Sequence, residues 1–140
     1  MAFERAAPQV TASGANAPLS ALAGQALRRY GDGSTRRFSG DSALQMIEIA
    51  NRVVDEYNSH PYTQTLDRVD YYVDIEERRP IHDMILVAGL CAYYASQQGS
   101  AKAGGLMQEY YRTLNQKTYD AFAGRNPTLS LQVVEPSRTT

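Results

Sequence analysis

Apolar residues recur along this chain at helical spacing in four blocks, and one block is apolar almost without interruption. Residues 80–98 open on Pro80, carry one early acid, Asp83, and then run from Met84 to Ala95 without a charge. Proline suits the first helical position, whose N–H has no intrahelical partner in any case, and Gly99 suits a left-handed residue past the end. A helix that is apolar on nearly every side has to be covered on nearly every side. A chain this short has little to cover it with, so the pattern predicts that identical copies shelter part of this helix.

The other three blocks are amphipathic. Leu19, Leu22, Ala23, Ala26, Leu27 and Tyr30 keep one face of a short helix over 18–30, with Arg28 and Arg29 in its last turn and Gly31 or Gly33 ending it. Ser42 and Gln45 match a capping box at the start of a helix running to about Tyr57. Its stripe is Ala43, Ile47, Ala50, Val54 and Tyr57, widened by Leu44 and Val53. Asn58-Ser59-His60-Pro61 breaks it. A fourth helix is capped by Ser100 and reaches about Ala123, with Ala103, Met107, Tyr110 and Leu114 on its apolar side. Gly104-Gly105 in its first turns costs roughly 1 kcal/mol per glycine relative to alanine, which predicts another backbone packed close by.

Two segments read as extended. Residues 66–75 partly alternate, which predicts a strand or an ordered extended loop inside the long connection 62–79. Leu129, Leu131 and Val133 alternate with Ser130 and Gln132 as a lone strand. A lone strand needs a sheet to join, either around Val69–Ile75 or on another protein. The fold class is therefore mainly α: a small bundle of about four helices with an extended loop and an extended C-terminal tail. The division is a flexible N-terminal arm at 1–17, a helical domain at 18–124 and a tail at 125–140.

Composition narrows the function classes. The net charge is −1, which gives no global attraction to nucleic acid or an anionic membrane. Residues 1–37 hold a small basic excess, Arg5, Arg28, Arg29, Arg36 and Arg37 against Glu4 and Asp32. Helix-dipole matching and a solvated loop explain it, and contact with an acidic partner surface or a nucleic-acid backbone is the sharper alternative. The longest apolar run is about a dozen residues, short of the roughly 20 a membrane span needs, and no signal peptide is evident. The expectation is a soluble intracellular protein. The single Cys91 lies in the apolar helix, where a buried thiol is expected rather than a nucleophile. Ten tyrosines stand beside no tryptophan, six of them in three Tyr-Tyr pairs, a residue choice that suits helix cores and subunit interfaces alike.

No catalytic constellation is evident. His60 sits in a helix-breaking turn and His82 in the first turn of the central helix beside Asp83. Glu76, Glu77, His82 and Asp83 follow no recognised metal-ligand spacing, so neither a metal nor a cofactor is expected. No helix shows a basic face fit for a DNA groove.

With chemistry absent, the order of elements carries the reading: short helix, amphipathic helix, long irregular loop, buried helix, Gly-Ser turn, Tyr-rich helix, extended tail. The stretch from Pro80 through Ala95, then Gly99-Ser100-Ala101-Lys102-Ala103-Gly104-Gly105 and on to Tyr110-Tyr111, resembles the head-to-tail adaptor (connector) proteins of tailed bacteriophages and gene transfer agents. That resemblance covers about residues 18–124 and implies a structural virion protein rather than an enzyme. It implies a homo-oligomeric ring of about twelve subunits beneath the portal protein, closed by heterologous contacts. The ring, assembled in the host cytoplasm, would extend the DNA channel, pass DNA without sequence-specific binding, and seat the next neck or tail component. On this reading Leu86, Leu90, Tyr93, Tyr94, Tyr110 and Tyr111 pack subunits together. The acidic loop residues Asp67, Asp70, Asp74, Glu76 and Glu77 face the lumen, and Leu129, Leu131, Val133 and Val134 dock on the portal or a neighbour. The rival expectation is a small helical regulatory or antitoxin-like module that binds one protein partner as a dimer.

Overall fold

The computed structural model describes residues 16–32, 38–62 and 68–125. The molecule is mainly α, with four helices among the described residues: α1 (Leu19–Tyr30), α2 (Gly40–Ser59), α3 (Asp83–Gln97) and α4 (Ala103–Arg125). Helix α3 is the centre: α1, α2 and α4 all pack on it, while α1 and α2 touch each other only slightly.

Helix α1 buries the predicted face, Leu19, Leu22, Ala23, Ala26 and Leu27. Gly31 ends it at φ 119°, and its N–H donates to the Leu27 and Arg28 carbonyls. Pro18 supplies no side-chain cap at the other end. Instead the Leu19 N–H donates to the Glu77 carbonyl at 3.0 Å and the Ser20 N–H to the Ile75 carbonyl at 2.8 Å. The long connection thus satisfies the orphan donors that every helix start leaves.

Helix α2 starts earlier than the pattern predicts. Ser39 is the N-cap and Ser42 its partner in a reciprocal capping box, so Ser42 is inside the first turn rather than at the cap. Gln45 is free of capping duty and its amide donates to Gln97 at 2.8 Å. The buried row is Met46, Ile49, Ala50, Val53, Val54 and Tyr57, whereas Leu44 is 58 % exposed. The stripe is rotated from the expected one because α2 is covered by α3 on one flank and by the connection on another.

Helix α3 also begins later than expected. Pro80 lies outside it; His82 is the N-cap, its Nδ1 accepting the Met84 N–H at 3.1 Å. Ile85, Leu86, Ala88, Gly89, Leu90, Cys91, Ala92 and Ala95 are all buried. Among its apolar residues only Met84 is largely exposed, while Val87, Tyr93 and Tyr94 are half-buried. The chain's own helices therefore cover most of this rod, leaving Met84 and parts of Val87, Tyr93 and Tyr94 open. Leu86, Leu90 and Tyr110 are each 0 % exposed and have no surface left for subunit packing.

Glycine marks the tightest contact, but not where the sequence suggests. Among the described residues nothing lies within 4 Å of a notional Cβ at Gly104 or Gly105, so no described backbone packs against them. At Gly89, by contrast, a Cβ would fall 2.5 Å from Val53 Cγ2 of α2 and 2.9 Å from Tyr110 Cε1 of α4. Helix α4 buries Tyr110, Leu114 and Thr118 at four-residue spacing, and the Thr118 hydroxyl donates to the Leu114 carbonyl at 2.6 Å. At the far end Tyr62 stacks on Phe122 with centroids 5.2 Å apart.

Residues 68–82 form no strand among the described residues. Val69, Tyr72 and Ile75 turn inward every third residue, which is not strand alternation. The tail residues Leu129, Leu131, Val133 and Val134, and Asp67 of the connection, lie outside the described residues.

Gly89→Ala should destabilise the fold by about 1–3 kcal/mol, the usual range for overpacking a dense core. Urea denaturation followed by helical circular dichroism measures it. The loss should shrink when the same change is made in a Val53→Ala background, because the nearest methyl is then gone.

Candidate functional site

The chemistry-bearing residues collect on the 68–82 connection and on the helix flanks that hold it. Two asparagines of α2 clamp its backbone. Asn58 accepts the Val69 N–H at 3.0 Å and donates to the Val69 carbonyl at 2.9 Å. Asn51 does the same for Tyr72, at 2.7 Å and 3.0 Å. One amide side chain can thus stand in for a strand partner, donating and accepting on the same residue. Asn51 and Asn58 are seven apart, on one helical face, and both sit inside a helix that asparagine disfavours. That misplacement is the signal by which the sequence could have revealed them.

Arg79 staples the connection from within, donating to the Asp70 carbonyl at 2.9 Å and the Tyr71 carbonyl at 2.7 Å. Its guanidinium also lies 5.0 Å from the centre of the Tyr72 ring. The Tyr72 hydroxyl is buried with no hydrogen-bond partner among the described residues, and burial raises its pKa.

The acidic residues expected at a channel lumen hold their own loop. Glu77 accepts the Val73 N–H at 2.7 Å and the Asp74 N–H at 3.0 Å, and these bonds keep its carboxyl below the ordinary range. Asp74 accepts the Glu76 N–H, and Glu76 accepts the Ser20 hydroxyl at 2.9 Å. Asp70 is exposed. Arg68, Arg78 and Arg79 share the segment with these four acids, so it carries little net charge.

The tyrosines converge on one carboxylate. Glu56 of α2 accepts hydroxyls from Tyr93 of α3 at 2.7 Å, Tyr110 of α4 at 2.6 Å and Tyr111 at 3.0 Å. Burial first, and the Glu56 hydrogen bond second, push the Tyr93 and Tyr110 hydroxyls well above their ordinary pKa. Tyr94 instead meets Tyr30 of α1 edge to face, centroids 5.2 Å apart. Of the tyrosines expected at subunit contacts, only Tyr111 is substantially exposed, at 42 %. Sequence spacing gave no sign that Glu56 joins three helices, because its partners lie 37 to 55 residues away.

A cleft of about 350 Å³ opens where α2, α3 and α4 end, between Tyr57, His82, Ile85, Lys117 and Asp120. Burial and the nearby Lys117 lower the His82 pKa. No serine or cysteine lines the cleft. Cys91 is buried in the core, and burial raises its thiol pKa. Among the described residues no three His, Cys, Asp or Glu side chains converge as a metal site. No described helix is long and apolar enough to cross a membrane.

Two predictions test this architecture. Asn58→Ala strands a buried N–H and carbonyl of Val69 and should cost about 1–3 kcal/mol. Hydrogen exchange should show residues 68–76 losing protection before the helices do. His82 caps α3 through a neutral ring nitrogen, and its folded pKa lies below the unfolded value of 6.5. Its contribution is therefore complete above that value and lost as the pH falls through the lower folded one. Stability measured by urea titration should fall from about pH 7 to about pH 5, and His82→Asn, a cap that does not titrate, should flatten that fall. Asp83, raised chiefly by burial, acts at lower pH and in the opposite sense.

Comparison with family models, curated proteins and solved structures returns no match to this chain.

Proposed function

We propose that this chain is a structural virion protein, a head-to-tail adaptor that forms a ring below the portal, extends the DNA channel and seats the tail. One observation carries the reading. The helix order resembles the one expected of such adaptors, and the long connection between α2 and α3 is an ordered layer clamped across the bundle. Glu77 and Asp74 of the connection and Asn51 and Asn58 of α2 are used to hold backbone, which suits a rigid joint.

The ring contacts must come mainly from elsewhere than the central rod, most of which the chain buries itself. The acidic connection is likewise committed to its own loop, so the lumen is not assigned to it. Leu129, Leu131, Val133 and Val134 remain the segment proposed to dock on the portal or on a neighbour, by adding a strand to a sheet edge.

Mixing the full chain with portal rings from the same genome tests the proposal. Electron microscopy should show a closed ring of roughly twelve copies on each portal. A chain that stays monomeric or dimeric with portal present overturns the adaptor reading and favours the dimeric regulatory module. Alanine at Leu131 and Val133 together should abolish attachment while leaving helical circular dichroism unchanged. Unaltered attachment would remove the docking role of the tail.

A further inference from the structure

The cleft at the end of α4 has a partly apolar lining. Tyr57 and Ile85 line it as buried residues, and Pro80 and Ala121 as exposed ones. Its volume of about 350 Å³ lies in the range of cavities that receive a ligand. Two charged groups of α4, Lys117 and Asp120, complete the wall. Among the described residues neither makes a hydrogen bond or an ion pair, although Lys117 is half-buried. A charged group taken partly out of water is costly until it finds a counterpart.

The chain itself brings a segment to this place. By helical spacing Lys117, Asp120, Ala121 and Gly124 share one face of α4, so the cleft lies on a face that runs off the helix end. Gly124 has no side chain to bar a chain that turns back there. The helix stops at Arg125, and the residue before Pro127, Asn126, is biased away from helical backbone. Residues 126–140 follow. At 1.5 Å per residue, Ala121 lies about 6 Å and Lys117 about 12 Å back along the axis from Arg125. Four extended residues span about 13 Å, so Leu129 reaches the cleft without stretching the chain. Leu131 and Val133 then fall on the same side of an extended segment. The N-terminal arm offers no such row, since its Phe3 and Val10 stand seven residues apart.

We infer that in the free chain the tail folds back into this cleft, with Leu129, Leu131 and Val133 against the apolar wall and the backbone between them facing Lys117 and Asp120. An ammonium donor beside a carboxylate acceptor suits extended backbone, which presents a carbonyl and an N–H on each of these residues. The fold already holds irregular chain in this manner on another flank, where Asn51 and Asn58 bind both backbone groups of Tyr72 and Val69. A lone alternating segment, which has no stability by itself in water, thereby gains cover without joining a sheet. The inference goes beyond the adaptor reading and stands apart from it. It concerns the chain before any partner is met, and a partner that takes the tail has to draw it out of the cleft.

Hydrogen exchange on the full chain decides it, at a concentration where sedimentation velocity shows monomer. Amides 129–133 should exchange about tenfold or more slower than in a peptide of the tail alone. Ala121→Arg, at an exposed helical position, places a bulky cation in the cleft. It should return those amides to the peptide's rate and leave helical circular dichroism unchanged. Leu131→Ser with Val133→Ser should do the same from the other side of the contact, without touching the bundle. A tail that exchanges at the peptide's rate in the unaltered chain overturns the inference, and so does protection that survives either variant. Protection that fades on dilution means that another copy's tail fills the cleft. Release of residues 2–15 by Ala121→Arg, in place of the tail, means that the arm fills it. Either result overturns the fold-back. None of these readouts involves portal, so failure here leaves the adaptor reading standing, and failure of ring assembly leaves this inference standing.

Discussion

The contact at Gly89 is the constraint on which the bundle turns. Val53 from α2 and Tyr110 from α4 lean on α3 at the one place where it has no side chain. Any larger residue would push two helices off the third. With that approach in place, α2 and α4 sit near enough for Glu56 to receive hydroxyls from α3 and α4 together. A charged group joined to three phenols links three helices through contacts that are stronger than neutral hydrogen bonds. The central rod is then covered, and the burial of Leu86, Leu90, Cys91 and Ala92 follows from the same geometry.

The remaining flank is closed by irregular chain rather than by a helix. Such a covering layer would leave buried backbone groups without partners unless side chains supplied them. Asn51 and Asn58 do so for the connection, and the connection does so for the first turn of α1. The acids that look like a free negative patch in the sequence are part of this scheme. Glu77 binds two backbone N–H groups and Arg79; Asp74 and Glu76 tie the loop to itself and to Ser20. What the fold leaves outside is apolar at Leu44, Tyr71 and Val73 and, on the rod, at Met84, and it is there that a partner has something to gain.

The expectation of assembly therefore changes its place. A rod apolar on every side suggested shelter by other copies, yet three helices of the same chain cover most of it. A short chain covers such a rod when its neighbours are long enough, and α2 and α4 span 20 and 23 residues.

Local pattern by itself determined the number and order of the helices, the buried face of α1, the left-handed turns at Gly31 and Gly99, and the buried state of Cys91. Each depends on residues a few positions apart, where helical spacing and backbone sterics act without reference to the rest of the chain. Helix starts were less legible, since Ser39 outcompeted Ser42, and His82 rather than Pro80 set the start of α3. Tertiary structure alone decided which glycine is pressed by its neighbours, which tyrosines are spent in the core, and what the acids of the connection hold. Those outcomes join residues tens of positions apart, and no periodicity along the chain records which distant groups the packing of α3 will bring within hydrogen-bonding distance.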